Sequence, residues 1–192
     1  MITVKINDSE IANAINRLQR AGGDLKPAME DIGEYLTRST KLRFAEGKGP
    51  DGTPWEPNTE ATIVEFLRRK AGGTSRRKGE KGNNPYFGKD GRLNKRGAGQ
   101  VMGKRPLIGE SKRLSTEINY LADANSVAVG SGLEQSAVMQ FGAKKGEFGC
   151  TKRGVPIPWG DIPARPFLGL SDEDASTVVA ILKEHFESAM GR

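Results

Sequence analysis

Ile118-Asn119-Tyr120-Leu121-Ala122-Asp123-Ala124-Asn125-Ser126-Val127-Ala128-Val129-Gly130 is the stretch that decides the fold class. Ile118, Tyr120 and Ala122 alternate with Asn119, Leu121 and Asp123, so one side of an extended chain is apolar. Asn125-Ser126 supplies a turn, after which Val127-Ala128-Val129 resumes the extended pattern. Alternation on both sides of a turn predicts an antiparallel hairpin. On its C-terminal side, Ser136 to Phe141 fits either alternation or a helical turn closed by Gly142, and the helical turn is the preferred reading.

Helical patterning flanks the hairpin at both ends of the chain. Ile2, Val4 and Ile6 alternate as in a short strand. Asn7 then stands three before Glu10, an N-cap spacing, and Ile11, Ile15 and Leu18 follow at helical intervals. Asp24 can cap a second helix, in whose first turn Pro27 is tolerated; Met29, Ile32, Tyr35 and Leu36 form its stripe, running to about Phe44. Thr59 to Lys70 predicts a third, short helix with Ile63, Phe66 and Leu67 on one face. At the far end, Ile162 to Leu170 reads as an extended strand entering a helix. Ser171 is the N-cap of that helix, and Asp172, Glu173 and Asp174 occupy its first turn, where the helix dipole favours negative charge. Ala175, Val178, Leu182 and Phe186 form its apolar face. The fold class expected is α+β: a small antiparallel sheet packed with N-terminal and C-terminal amphipathic helices.

Between these elements the composition shifts. From Arg68 to Arg113 there are 15 Lys/Arg against Glu80, Asp90 and Glu110, a local charge of +12 in a chain of net +6. The same stretch holds 10 of the 25 glycines, and aliphatic residues are sparse from Thr74 to Gly91. Such composition buries too little apolar area to offset ordering entropy. A long basic Gly-rich loop or arm is expected, so that residues 1–192 form a single domain with 72–104 a flexible basic insertion. Arg76, Arg77, Lys78, Lys81, Arg92, Lys95 and Arg96 are its candidate contacts to DNA or to an acidic partner.

Composition also narrows the chemistry. One cysteine and one histidine among 192 residues leave no internal disulfide and no common zinc set. The opening MITVKINDSEIANAINRL lacks the apolar run of a signal peptide, and no stretch approaches the ~20 apolar residues of a membrane span. The expectation is a soluble protein of a reducing compartment, or of a particle assembled in one, with no membrane contact. Gly82 to Asp90 resembles a phosphate loop only loosely: five residues separate its glycines, Pro85 removes a donor, and Asp90 stands where a hydroxyl should bind magnesium. Asp51 and Asp161 sit in Pro/Gly turns, Cys150 has no partner cysteine, and His185 lies beside an apolar helix face, where a structural role is expected. No catalytic residue, cofactor site or metal site is assigned.

Four segments in order carry a resemblance: PDGTPWEPN (Pro50–Asn58), RPLIGESKRL (Arg105–Leu114), VAVGS with AVMQFG (Val127–Ser131, Ala137–Gly142), and IPARPFLGLSDED (Ile162–Asp174). Together they resemble the phage virion morphogenesis family, which includes tail completion proteins of P2-like and Mu-like phages. The resemblance spans most of the chain outside about Gly72 to Lys104. Two departures stand out: the basic insert is longer than in many members, and Gly109-Glu110-Ser111 replaces the family's Asp-Thr-Gly turn.

The resemblance implies a non-enzymatic structural protein of the tail or neck, assembled in the host cytoplasm, that completes the tail or joins it to the head. It implies a homo-oligomer, a six-fold ring by analogy with tail symmetry. The implied neighbours are the tail tube or tail terminator and the head connector, with genomic DNA a possible contact in the lumen. Trp55, Phe141, Arg165, Phe167 and Leu168 are the residues expected at an assembly interface. Pro163 and Pro166 make their strand an edge, with Phe167 and Leu168 on opposite sides and Arg165 either pairing across a subunit boundary or solvated. The competing reading is a nucleic-acid-binding protein using the basic arm, although Tyr86 and Phe87 are the only stacking aromatics there. An enzyme with dispersed acids is the third.

Overall fold

A computed structural model describes residues 2–3, 9, 11, 13, 15–16, 25–70, 85–88, 92–109 and 111–190. The chain divides into two compact units, one of Met1–Trp55 with Leu107–Arg192 and one of Glu56–Pro106. The fold is α+β.

The first unit is built on a three-stranded antiparallel sheet. Strand β1 (Ile2–Thr3) and the hairpin strands β2 (Ile118–Ala122) and β3 (Val127–Ser131) lie in the order β1-β3-β2. Tyr120 pairs with Val129 and Ala122 with Val127. The turn closes through the Asp123 N–H to the Ser126 carbonyl at 2.8 Å. Ile118 is buried and Asn119 and Leu121 are exposed, as the alternation requires.

Helix α1 (Lys26–Glu46) carries Pro27 in its first turn and ends on Gly47, whose left-handed backbone lets its N–H reach the Arg43 carbonyl at 2.7 Å. Its buried face packs on β2 and β3. The approach is close enough that a Cβ on Gly33 would lie 2.3 Å from the Tyr120 ring. Of the helix expected before it, Ser9, Ile11, Asn13, Ile15 and Asn16 are helical; its other residues, and the Asp24 cap, lie outside the described residues.

Helix α6 (Asp172–Met190) packs on α1. Leu25, Ala28, Met29 and Ile32 meet Val178 and Leu182 in one apolar cluster, against which Ile11, Ile15 and Phe186 pack. A second cluster gathers Phe44, Trp55, Leu114, Ile118, Phe167 and Leu168. Short helix α4 (Arg113–Thr116) delivers Leu114 to it, and Met139 of α5 (Gln135–Phe141) packs against it. Residues 135–141 thus take the helical alternative.

The second unit holds α2 (Glu60–Lys70) and α3 (Lys95–Gly103). Ile63, Leu67 and Tyr86 are buried in it, with Phe66, Phe87, Leu93 and Val101 packed around them. The loop expected over 72–104 therefore contains a helix at 95–103. Asn94 accounts for it: its Oδ1 accepts from the Gly97 N–H at 2.9 Å, and its Nδ2 donates to the Pro85 carbonyl at 3.0 Å. Gly97 permits the approach, since a Cβ there would lie 2.3 Å from the Tyr86 carbonyl oxygen. Residues 71–84 lie outside the described residues.

Candidate assembly surface

Residues 162–170, expected as an extended edge or terminal strand, form an irregular strap with a bridge at its root, Ala143 to Ile162. Two prolines among four residues remove ladder donors, so side chains from elsewhere satisfy the strap. Gln140 of α5 accepts from the Phe167 and Leu168 N–H groups through Oε1, both at 3.0 Å, and donates Nε2 to the Leu168 carbonyl at 2.9 Å. The Arg165 N–H donates to the Met139 carbonyl at 2.8 Å. Trp55 Nε1 donates to the Pro166 carbonyl at 2.8 Å, and Arg43 Nη1 reaches the carbonyls of Phe167 and Gly169 at 2.9 and 3.0 Å.

This geometry places the expected interface residues differently from one another. Trp55 lands on the core, its ring edge-on to Phe44 with centroids 5.3 Å apart, and Phe167 packs against Phe44 at the same distance. Leu168 does not face away from Phe167. Both are buried in one cluster, because the strap twists out of regular strand geometry and the alternation lapses. Arg165 is buried within the chain and is not a solvated surface arginine. Phe141 alone of the five presents its side chain outward, at 66 % exposure.

Arg43 also donates Nη2 to Asp174 Oδ2. Asp174 is the third residue of α6 and forms a reciprocal cap with Ser171. The Ser171 Oγ accepts from the Asp174 N–H at 3.1 Å, and the Ser171 N–H donates to Oδ2 at 3.0 Å. Ser39 donates to Oδ1 at 2.6 Å. Burial pushes the Asp174 carboxyl up, but the hydrogen bonds from Ser39 and Ser171 and the Arg43 charge outweigh it and hold the group below its ordinary value. The acidic first turn is thus more than a response to the helix dipole: its third residue is a buried anchor for α1. The missed signal was positional. Arg43 lies seven residues after Leu36 on the buried stripe of α1, and Asp174 lies four before Val178 on that of α6.

His185 bonds Asp31 at 2.7 Å, tying α6 to α1. Among the described residues no group of three His, Cys, Asp or Glu is placed to hold a metal ion. No described helix is long and apolar enough to cross a membrane. In the second unit Arg92, Lys95 and Arg96 are exposed, and the Arg96 guanidinium lies 5.9 Å from the Tyr86 ring centroid. Lys104 lies 4.1 Å from that of Phe66. Arg76, Arg77, Lys78 and Lys81 lie outside the described residues.

A family model, the phage virion morphogenesis family, matches residues 6–95 and again residues 80–187. The chain belongs to the phage virion morphogenesis family. Its role is that of a structural component in phage assembly, and its place is the virion. Searches of curated proteins and of solved structures return no match. The first match ends, and the second begins, inside the basic segment, which is where the chain also passes between a compact helical unit and the sheet-bearing one.

Proposed function

We propose that the protein completes the tail or joins it to the head, acting by homo-oligomeric assembly without catalysis, as a ring of six-fold symmetry in the tail or neck. Its neighbours in this reading are the tail tube or tail terminator on one side and the head connector on the other. Membership of a virion morphogenesis family carries the proposal. Large apolar side chains turned outward in the first unit support it: Phe141, Phe148 and Trp159 are each more than half exposed. Electron micrographs of lysates from a mutant phage lacking the protein test it. Filled heads beside unjoined tails are the expected result, and intact infectious particles would overturn it.

A second reading rests on charge. The segment forming the second unit, residues 56–106, has 13 Lys/Arg against five Asp/Glu. Contact with nucleic acid through this unit predicts an affinity that falls steeply and log-linearly with salt. Binding that is flat between low and high salt, or absent, removes this reading and leaves the first untouched.

A further inference from the structure

Residues 143–162 leave the first unit as a hydrogen-bonded arm. Ala143 and Ile162 exchange both backbone bonds at its root, at 2.9 and 2.8 Å. Further out the Phe148 N–H donates to Ile157 and the Ile157 N–H to Gly149, both at 2.8 Å, and the Thr151 N–H donates to Val155 at 2.8 Å near the tip. From Lys144 to Asp161 no residue is buried. A hairpin with no buried face is marginal by itself in water.

The arm's outer strand inverts the usual pattern. Val155, Ile157 and Trp159 are exposed, at 49, 41 and 67 %, while Pro156, Pro158 and Gly160 between them are half-buried. Phe148, across from Ile157, is 55 % exposed. Apolar side chains alternate outward, and exposed Lys145, Lys152 and Arg153 accompany them. This is the composition of a contact surface: aromatic and aliphatic anchors beside cations.

The same unit carries a surface of opposite charge. The His185–Asp31 bond brings together the N-terminal half of α1 and the C-terminal half of α6, where Glu30, Asp31, Glu34, Glu184 and Glu187 are exposed. Lys26, which lies 3.9 Å from Glu30, and Lys183 offset only part of that charge. Among the described residues, the apolar side chains of the arm and the acids of the helix face are both exposed, and no hydrogen bond or ion pair joins the two surfaces. In a head-to-tail series of copies each arm meets the acidic face of the next subunit, and a series whose rotation closes is a ring in which every arm and every face is answered.

We infer that the 143–162 arm docks, through Phe148, Ile157 and Trp159 with Lys152 and Arg153, on the acidic α1/α6 face of a second copy of this chain. The inference deepens the ring reading above and rests on it. The test is sedimentation velocity across a concentration series. Wild-type protein is expected to assemble, and Phe148→Ser/Trp159→Ser is expected to stay monomeric with an unchanged melting temperature, because both side chains are exposed. Lys152→Glu/Arg153→Glu and Glu184→Lys/Glu187→Lys should each fail to assemble alone, while an equimolar mixture of the two regains assembly, since every contact is then again between opposite charges. A wild type that stays monomeric overturns homo-oligomerisation and this inference with it. A wild type that assembles while the Phe148/Trp159 variant assembles equally well overturns the arm alone. Loss of assembly without rescue in the charge-reversed mixture overturns the α1/α6 face as its acceptor.

Discussion

The Arg43 guanidinium of α1 closes on the Asp174 carboxylate at the start of α6, with the two side chains only 7 and 2 % exposed. One cation thereby binds a helix cap and the carbonyls of Phe167 and Gly169 in the strap that precedes it. A helix, a cap and a Pro-bounded strap are held by a single side chain.

Removing that side chain leaves Asp174 buried without its counter-charge and two carbonyls without their donor. Arg43→Ala is expected to cost about 3–5 kcal/mol, the range for breaking one partner of a buried pair. Urea unfolding followed by circular dichroism measures it, and a loss under about 1 kcal/mol would show the pair to be energetically idle.

The same pair sets an acid limit on stability. The Asp174 carboxyl is held below its ordinary value in the fold and returns to about 3.9 when unfolded. As pH falls, the unfolded state therefore takes up the proton first. The contribution is fully present above about pH 5 and is lost as pH drops through the folded value. The gap in melting temperature between wild type and Asp174→Asn should narrow as pH falls from 6 to 3. A gap that stays constant across that range contradicts the sign of this argument.

Phe167 is fully buried between Phe44 and the rest of its cluster. Phe167→Ala is expected to destabilise by about 3–5 kcal/mol. Arg165→Ala, at a buried position, should also lower the melting temperature of the isolated subunit. An unchanged melting temperature for Arg165→Ala would put that arginine back at the surface.

Gln140→Leu keeps the volume of the clamp and removes all three of its hydrogen bonds to the strap. Unsatisfied buried backbone groups make this cost about 2–3 kcal/mol. Hydrogen exchange at the Phe167 and Leu168 amides should accelerate relative to β3, and equal protection in both would exclude the clamp.

Gly33→Ala places a methyl group inside the Tyr120 ring's space, an overpacking expected to cost about 1–3 kcal/mol. Tyr120→Ala in the same background should return part of that loss. Strict additivity of the two changes would mean that helix and strand do not meet there.

Much of the first unit was legible because it depends on neighbours a few residues apart. Alternation around Asn125-Ser126 defined the hairpin, the 3.6-residue stripes of Met29–Phe44 and Val178–Phe186 defined α1 and α6, and Ser171 with its acids marked where α6 begins. The motif order from Pro50 to Asp174 pointed to the family on the same local terms. What the tertiary structure decided depends on partners far apart in the chain. Residue 43 finds residue 174, and Gln140 finds residues 167 and 168, so these polar side chains act as the strap's missing ladder. For that reason Leu168 turns inward beside Phe167, which a period of two forbids. The composition of 72–104 argued for a loop, yet Asn94 caps a helix there through the Gly97 N–H while its amide nitrogen holds the Pro85 carbonyl, nine residues back. The arm escaped notice because Phe148, Ile157 and Trp159 look like core residues until their exposure is known. Only the folded chain shows which apolar residues were left without one.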